Sequence, residues 1–115
     1  VIRIPDEKSS YAWDVLHHIS DPYSVRILRA TLHRPLDAIT LSNTLGIPIA
    51  VCYRRLRELE RLKLIEPVGR KLTQKGKWIT LYKAKIKNAT VVMKEGKLYL
   101  RISFRWGQEE ELEVE

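Results

Sequence analysis

Apolar residues recur at helical spacing through the first half of the chain and shift to strand-like alternation in the second. Ala12, Trp13, Leu16 and Ile19 outline one helix, with Ser9 or Ser10 placed to cap it. Asp21-Pro22 reads as a fresh start, an N-cap acid followed by proline at the first helical position. The stretch after it carries Val25, Ile27, Leu28 and Leu32, with Pro35 beyond its end. These two pieces form either one kinked helix or two short ones. Thr40 is a plausible cap for a short helix holding Leu41 and Leu45, and Gly46 is placed to close it in the left-handed conformation. The next helix is expected from about Pro48 to Leu62. Cys52, Leu56, Leu59 and Leu62 lie on its one apolar face, and Tyr53, Arg54, Arg57 and Arg61 on the other.

After Leu64-Ile65 the period changes. Residues 65–73 and 77–86 read as strands around Gln74-Lys75-Gly76, the second rich in residues that suit a pleated surface (Trp78, Ile79, Leu81, Tyr82). Thr90 to Lys94 and Lys97 to Phe104 follow, joined at the turn dipeptide Glu95-Gly96. Gly107 turns the chain toward a last strand in which Leu112 and Val114 alternate with glutamates. Helices first and sheet afterwards indicate an α+β class.

Charge sharpens this picture. The net charge is +7, but five of the 14 acids fall between Glu109 and Glu115, and all 21 basic side chains precede them. From Pro67 to Lys94 there is no acid, against Arg70, Lys71, Lys75, Lys77, Lys83, Lys85, Lys87 and Lys94. Such a stripe attracts polyanions, because each phosphate neutralised releases a condensed counterion. A basic surface kept only for solubility is the plain alternative.

The segment 41–65, LSNTLGIPIAVCYRRLRELERLKLI, resembles the helix-turn-helix core of winged-helix transcription regulators, particularly the ArsR-like and MarR-like groups. Leu41 and Leu45 match the apolar pair of the first motif helix, Gly46-Ile47 its turn, Cys52 and Leu56 the buried positions of the recognition helix, and Leu59-Glu60 and Leu64-Ile65 the exit into the wing. Residues 66–83 fit the wing strands and their basic tip, and DPYSVRILRATL (residues 21–32) fits the helix that opens such a core. The resemblance implies a winged helix-turn-helix with an appended C-terminal β hairpin or meander. It divides the chain into an N-terminal helix (1–20, a candidate dimerisation element), a DNA-binding domain (21–86) and C-terminal strands (87–115). It implies a sequence-specific duplex-DNA-binding regulator that acts as a homodimer in the cytoplasm.

In docking of this kind a recognition helix, here about 48–62, enters the major groove and reads bases from its N-terminal end. That assigns Ile49, Ala50, Tyr53 and Arg54 to bases and Arg57 to guanine or phosphate. The basic wing, about 70–77, would lay Arg70, Lys71, Gln74, Lys75 and Lys77 on the backbone or minor groove. Relatives often carry Ser, Arg or Thr where this chain has Pro48, Ile49 and Val51, so fewer polar groups serve direct readout here.

Other chemistry finds little support. No nucleophile–base–acid set or Gly-rich phosphate loop is visible, so no enzyme activity is expected. His17, His18 and His33 lack ligand spacing with the lone Cys52, so no metal or other cofactor is expected, and the histidines read as solvated surface. Cys52 reads as a small core residue rather than a redox switch. No apolar run approaches a membrane span, and Val1 to Lys8 do not resemble a signal peptide. The rival readings are a protein-interaction adapter on the same fold and a non-specific chromatin or single-strand binder stacking bases on Tyr82, Tyr99, Phe104 and Trp106.

Overall fold

The computed structural model describes residues 6–114, with side chains from Tyr11 onward. The elements run α1 (Asp6–Ile19), α2 (Pro22–Ala30), β1 (Leu36–Asp37), α3 (Ala38–Leu45), α4 (Ile49–Arg61), β2 (Ile65–Leu72), β3 (Trp78–Ala84), β4 (Ile86–Lys94), β5 (Lys97–Phe104) and β6 (Glu109–Val114). They form two antiparallel three-stranded sheets, ordered β1-β3-β2 and β4-β5-β6. The class is α+β, with the second sheet a meander appended to the helices and first sheet.

Asp21 separates α1 from α2. Its backbone is extended and its carboxylate accepts the Ser24 N–H at 2.9 Å, which caps α2 while Pro22 fills the first helical position. The chain thus makes two helices, not one kinked helix. α1 begins at Asp6, so Ser9 and Ser10 stand inside it; the run DEKSS contains no proline or glycine to hold the helix back. The inward face of α1 is Ala12, Val15 and His18, whereas Trp13, expected on the apolar face, is 46% exposed. A rotation of about one position along the helix turns a plausible aromatic core residue outward.

α3 starts one turn earlier than expected. Its cap is Asp37, whose carboxylate accepts the Thr40 N–H (3.0 Å) and hydroxyl (2.6 Å), so Thr40 is the capped residue rather than the cap. Gly46 closes the helix at φ 67°, a left-handed conformation that costs a glycine no Cβ clash. Ile47 is buried just beyond the turn and pins α4 against α3. On α4, Cys52, Leu56 and Leu59 are all buried, and Leu62 continues that face at the C-cap.

β2 and β3 form a hairpin from Ile65↔Ala84 to Leu72↔Trp78, with a bulge between Pro67 and Gly69. Its tip is Thr73 to Lys77, so Lys71 belongs to strand β2 and not to the tip. Two-residue β1, too short for a periodic signal, adds itself to the outer edge of β3. β4 begins at Ile86, four residues before the expected start, and pairs with β5 through a tight turn at Glu95 and Gly96, both at positive φ. Leu100, Ile102, Leu112 and Val114 on the inner face of the second sheet join Ala12, Val15 and the α4 leucines in one core. The Tyr11 hydroxyl donates to the Leu62 carbonyl at 2.8 Å, fastening α1 to the end of α4.

Leu59 is completely buried whereas Arg57, two residues away, is exposed. Leu59→Ala should cost about 2–5 kcal/mol by urea denaturation, and Arg57→Ala about 0.5 kcal/mol or less. Equal losses would contradict this orientation of α4.

Candidate nucleic-acid interface

Burying one face of α4 displays the other. Ile49 (44% exposed), Ala50, Tyr53 (40% exposed), Arg54 and Arg57 all face outward. Pro48 is the residue before the helix and supplies no side-chain cap, so the first turn of α4 presents its N–H groups among exposed residues.

The four arginines of α4 divide into two pairs. Arg55 is half-buried and donates from Nε to Asp21 Oδ2 at 3.0 Å, and Arg61 lies 3.6 Å from Asp14. Arg54 and Arg57 form no ion pair among the described residues. Beside Arg55, Glu58 meets His18 Nε2 at 2.8 Å, and the other ring nitrogen of His18 lies 3.1 Å from the Ser24 hydroxyl, which donates to Asp21. His18 is therefore a buried bridge between α1, α2 and α4, in contrast to the expected solvated histidine. The alternation of helical faces could have placed it inward with Ala12 and Val15, but a histidine in that register is easily taken for surface. Burial pushes its imidazole below the ordinary range, although Glu58 pulls it upward. Cys52 packs within 3.6 Å of the Ala38 carbonyl, and burial pushes its thiol up, which leaves it unreactive.

The wing approaches α4 from the side. Cross-strand pairing places Arg70 opposite Thr80 and Leu72 opposite Trp78, so these four share a sheet face. The Arg70 guanidinium lies 5.4 Å from the Trp78 ring centroid, a cation–π distance, and Trp78 is 60% exposed. A groove of about 180 Å³ runs between Tyr53 of α4, Ile39 of α3, and Trp78, Thr80 and Tyr82 of β3. Residues of α3, α4 and β3 thus line one groove. Sequence pattern misses Trp78 and Ile39 because their exposure depends on strand register and helix packing; the shared parity of Trp78, Thr80 and Tyr82 was the available signal.

At the wing tip, Thr73 and Lys77 exchange backbone and hydroxyl hydrogen bonds (2.7 and 3.1 Å), and Gly76 adopts φ 79°. This tight turn projects Gln74, Lys75 and Lys77, all exposed. Lys71 instead reaches back to Asp37 Oδ1 at 2.9 Å. The wing is thereby tied to the residue that caps α3. The aromatic platform considered for single strands does not assemble. Tyr82 lies in the first sheet, Phe104 is buried beneath a stacked Trp106 (5.0 Å between centroids), and Tyr99 sits on the opposite face of β5 from Phe104.

No family model matches the chain, and no curated protein matches it. Among solved structures, NolR from Sinorhizobium fredii superposes with a TM-score of 0.53 at 16% identity, covering 73% of this chain and 81% of that one. The fold is a winged helix-turn-helix. At that identity the likeness concerns the fold alone. Among the described residues no helix is long and apolar enough to cross a membrane, and no cluster of three or more candidate metal ligands occurs.

Asp37 is 2% exposed. Burial raises its carboxyl, but hydrogen bonds from the Thr40 hydroxyl, Lys71 and the Thr40 N–H outweigh it and hold the pKa at about 2, below an ordinary 3.8. A folded-state pKa depressed in this way stabilises the fold above the unfolded value and loses that contribution as pH falls from about 4 toward 2, an effect of about 2 kcal/mol. Asp21, also held at about 2, shares the window. Urea stability should therefore fall between pH 4 and pH 2, and Asp37→Asn should flatten part of that fall. An unchanged pH profile in the variant would remove Asp37 from this role.

Proposed function

We propose that the chain is a transcriptional regulator that binds duplex DNA sequence-specifically, with the α4 region (about 48–62) in the major groove and the wing (about 70–77) along the backbone and minor groove. The observation that carries this reading is the exposed face of α4, where Arg54 and Arg57 have no ion pair among the described residues, on a helix whose Tyr53 shares a groove with Trp78 of the hairpin that carries exposed Lys75 and Lys77. Phosphate contacts from the wing lysines position the domain, and base edges are read near the start of α4. Because Ile49 and Ala50 are apolar, readout there favours thymine methyl groups, with Arg54 directed to guanine or phosphate. Arg70 and Lys71 play different parts from the tip: Arg70 holds the Trp78 face, and Lys71 shares its charge with Asp37.

The working form is a homodimer on a roughly twofold operator in the cytoplasm, of the ArsR-like or MarR-like kind, because two half-sites supply affinity and specificity that one short helix does not. In this division residues 21–86 bind DNA, while the N-terminal helix and residues 87–115 serve assembly. Occupancy of the operator is the regulatory act.

Selection from random duplexes at near-physiological salt should return a twofold-symmetric motif. Lys75→Ala with Lys77→Ala should weaken binding to all sequences and lower the salt slope by about one unit for each phosphate left unneutralised. Arg54→Ala should cost about 1–3 kcal/mol on the selected site and relax its sequence preference. Salt-dependent binding with no enriched motif would favour the non-specific reading, and absence of DNA binding the adapter reading.

A further inference from the structure

We propose that two copies of the chain join edge to edge through strand β4, extending the second sheet into one continuous six-stranded sheet. This rests on the homodimer reading above and names the surface that makes it. β4 is an edge strand nine residues long with no strand partner on its outer side among the described residues; its first residue, Ile86, donates to the Leu64 carbonyl at 3.4 Å, and the residues beyond it have no such bond outside the sheet. Edge strands of monomers are commonly guarded by charge, proline or distortion. Here the six central residues, Asn88-Ala89-Thr90-Val91-Val92-Met93, are uncharged and contain no proline, and the register irregularity lies at the start, between Ile86 and Asn88.

The side chains point to one register. Ala89, Val91 and Met93 pair with Ile102, Leu100 and Leu98, so they belong to the sheet face that is buried elsewhere in the molecule. On β4 that face is open: Val91 is 45% exposed and Met93 74% exposed. An antiparallel partner strand keeps both apolar faces on the same side only when a residue, and not a gap between residues, lies on the twofold axis. With Val91 on the axis, Met93 stands opposite Ala89 of the second copy. Centring on Thr90 or Val92 moves Met93 opposite Lys87 or Val91 of the second copy instead, away from Ala89.

A groove supplies the hole for the projecting methionine. Ile19, Val25, Leu28 and Leu32 of the α1–α2 region, with Arg29, border the start of β4 from Ile86 to Ala89 around a groove of about 250 Å³. Since Ala89 of the second copy is the residue opposite Met93, each Met93 is directed at the other protomer's groove. The flexible thioether suits such a gap. Strand hydrogen bonds and two methionine–groove contacts then arise together from one twofold operation.

Sedimentation across micromolar concentrations should give twice the 13.5 kDa chain mass. Val91→Arg, which sets two like charges face to face on the axis, should return the mass to 13.5 kDa while the chain stays folded by circular dichroism, since the site is exposed. Met93→Asp should raise the dimer dissociation constant about tenfold, since the Val91-centred register directs that side chain at the apolar groove of the second copy. Val91→Cys should form a disulfide-linked dimer on oxidation, which buried Cys52 does not. A monomeric wild type, or a dimer indifferent to Val91→Arg, would overturn the proposal. DNA binding is read separately: Val91→Arg should still bind a single half-site. Loss of all DNA binding by a dimeric wild type would instead count against the function proposed above.

Discussion

The burial of one face of α4 is the constraint from which the rest of the molecule follows. Cys52, Leu56 and Leu59 are sealed against α3, α2 and the start of β2, and Leu62 and Leu64 extend the seal beyond the helix. Each large aliphatic chain removed from water contributes about 1.5–3 kcal/mol, so these contacts outweigh any single polar interaction in the domain. Because successive helical residues point about 100° apart, fixing this stripe inward fixes Tyr53, Arg54 and Arg57 outward. The exposed surface is thus a geometric consequence of the core.

Apolar packing leaves freedom to slide and rotate, and polar contacts remove it. Arg55 and Glu58 project from the flank of α4 to Asp21 and to His18, binding the helix to the start of α2 and to α1. Asp37 does the corresponding task for α3 and the wing, capping the helix and holding Lys71. Partly buried charges are costly to desolvate, and pairing roughly offsets that cost. Their contribution lies in orientation: removing one partner strands the other, so alternative placements of α4 and the wing are disfavoured. Among the described residues Arg54, Arg57, Lys75 and Lys77 take no share in these pairings.

The elements whose signal is local were legible in the sequence. The apolar spacing of α4, the Asp21-Pro22 start, the Gly46 turn and the Glu95-Gly96 hairpin all rest on residues close together in the chain, and each appears where the pattern places it. Most of what escaped depends on distant contacts. β1 has two residues and exists only because β3 offers an edge. The cap of α3 is Asp37 rather than Thr40, a local signal in which the earlier of two good capping residues wins, and the same carboxylate also meets Lys71, 34 positions later in the chain. His18 looks like surface until α2 and α4 close over it, and Trp13 looks like core until the rotation of α1 is known. On α4 the outward placement of Tyr53, Arg54 and Arg57 followed from periodicity, whereas the placement of Arg70 and Lys71 in strand β2 rather than at the hairpin tip required the strand register.

The proposed function requires that α4 and the wing meet the nucleic acid together while the second sheet stays clear of it. Backbone amide shifts followed by NMR during titration with a duplex carrying the selected motif test this directly. The interface predicts perturbations concentrated at residues 49–57 and 70–78, with the outer face of β4, β5 and β6 unmoved. Perturbations confined to residues 86–114, or none at saturating duplex, would contradict it.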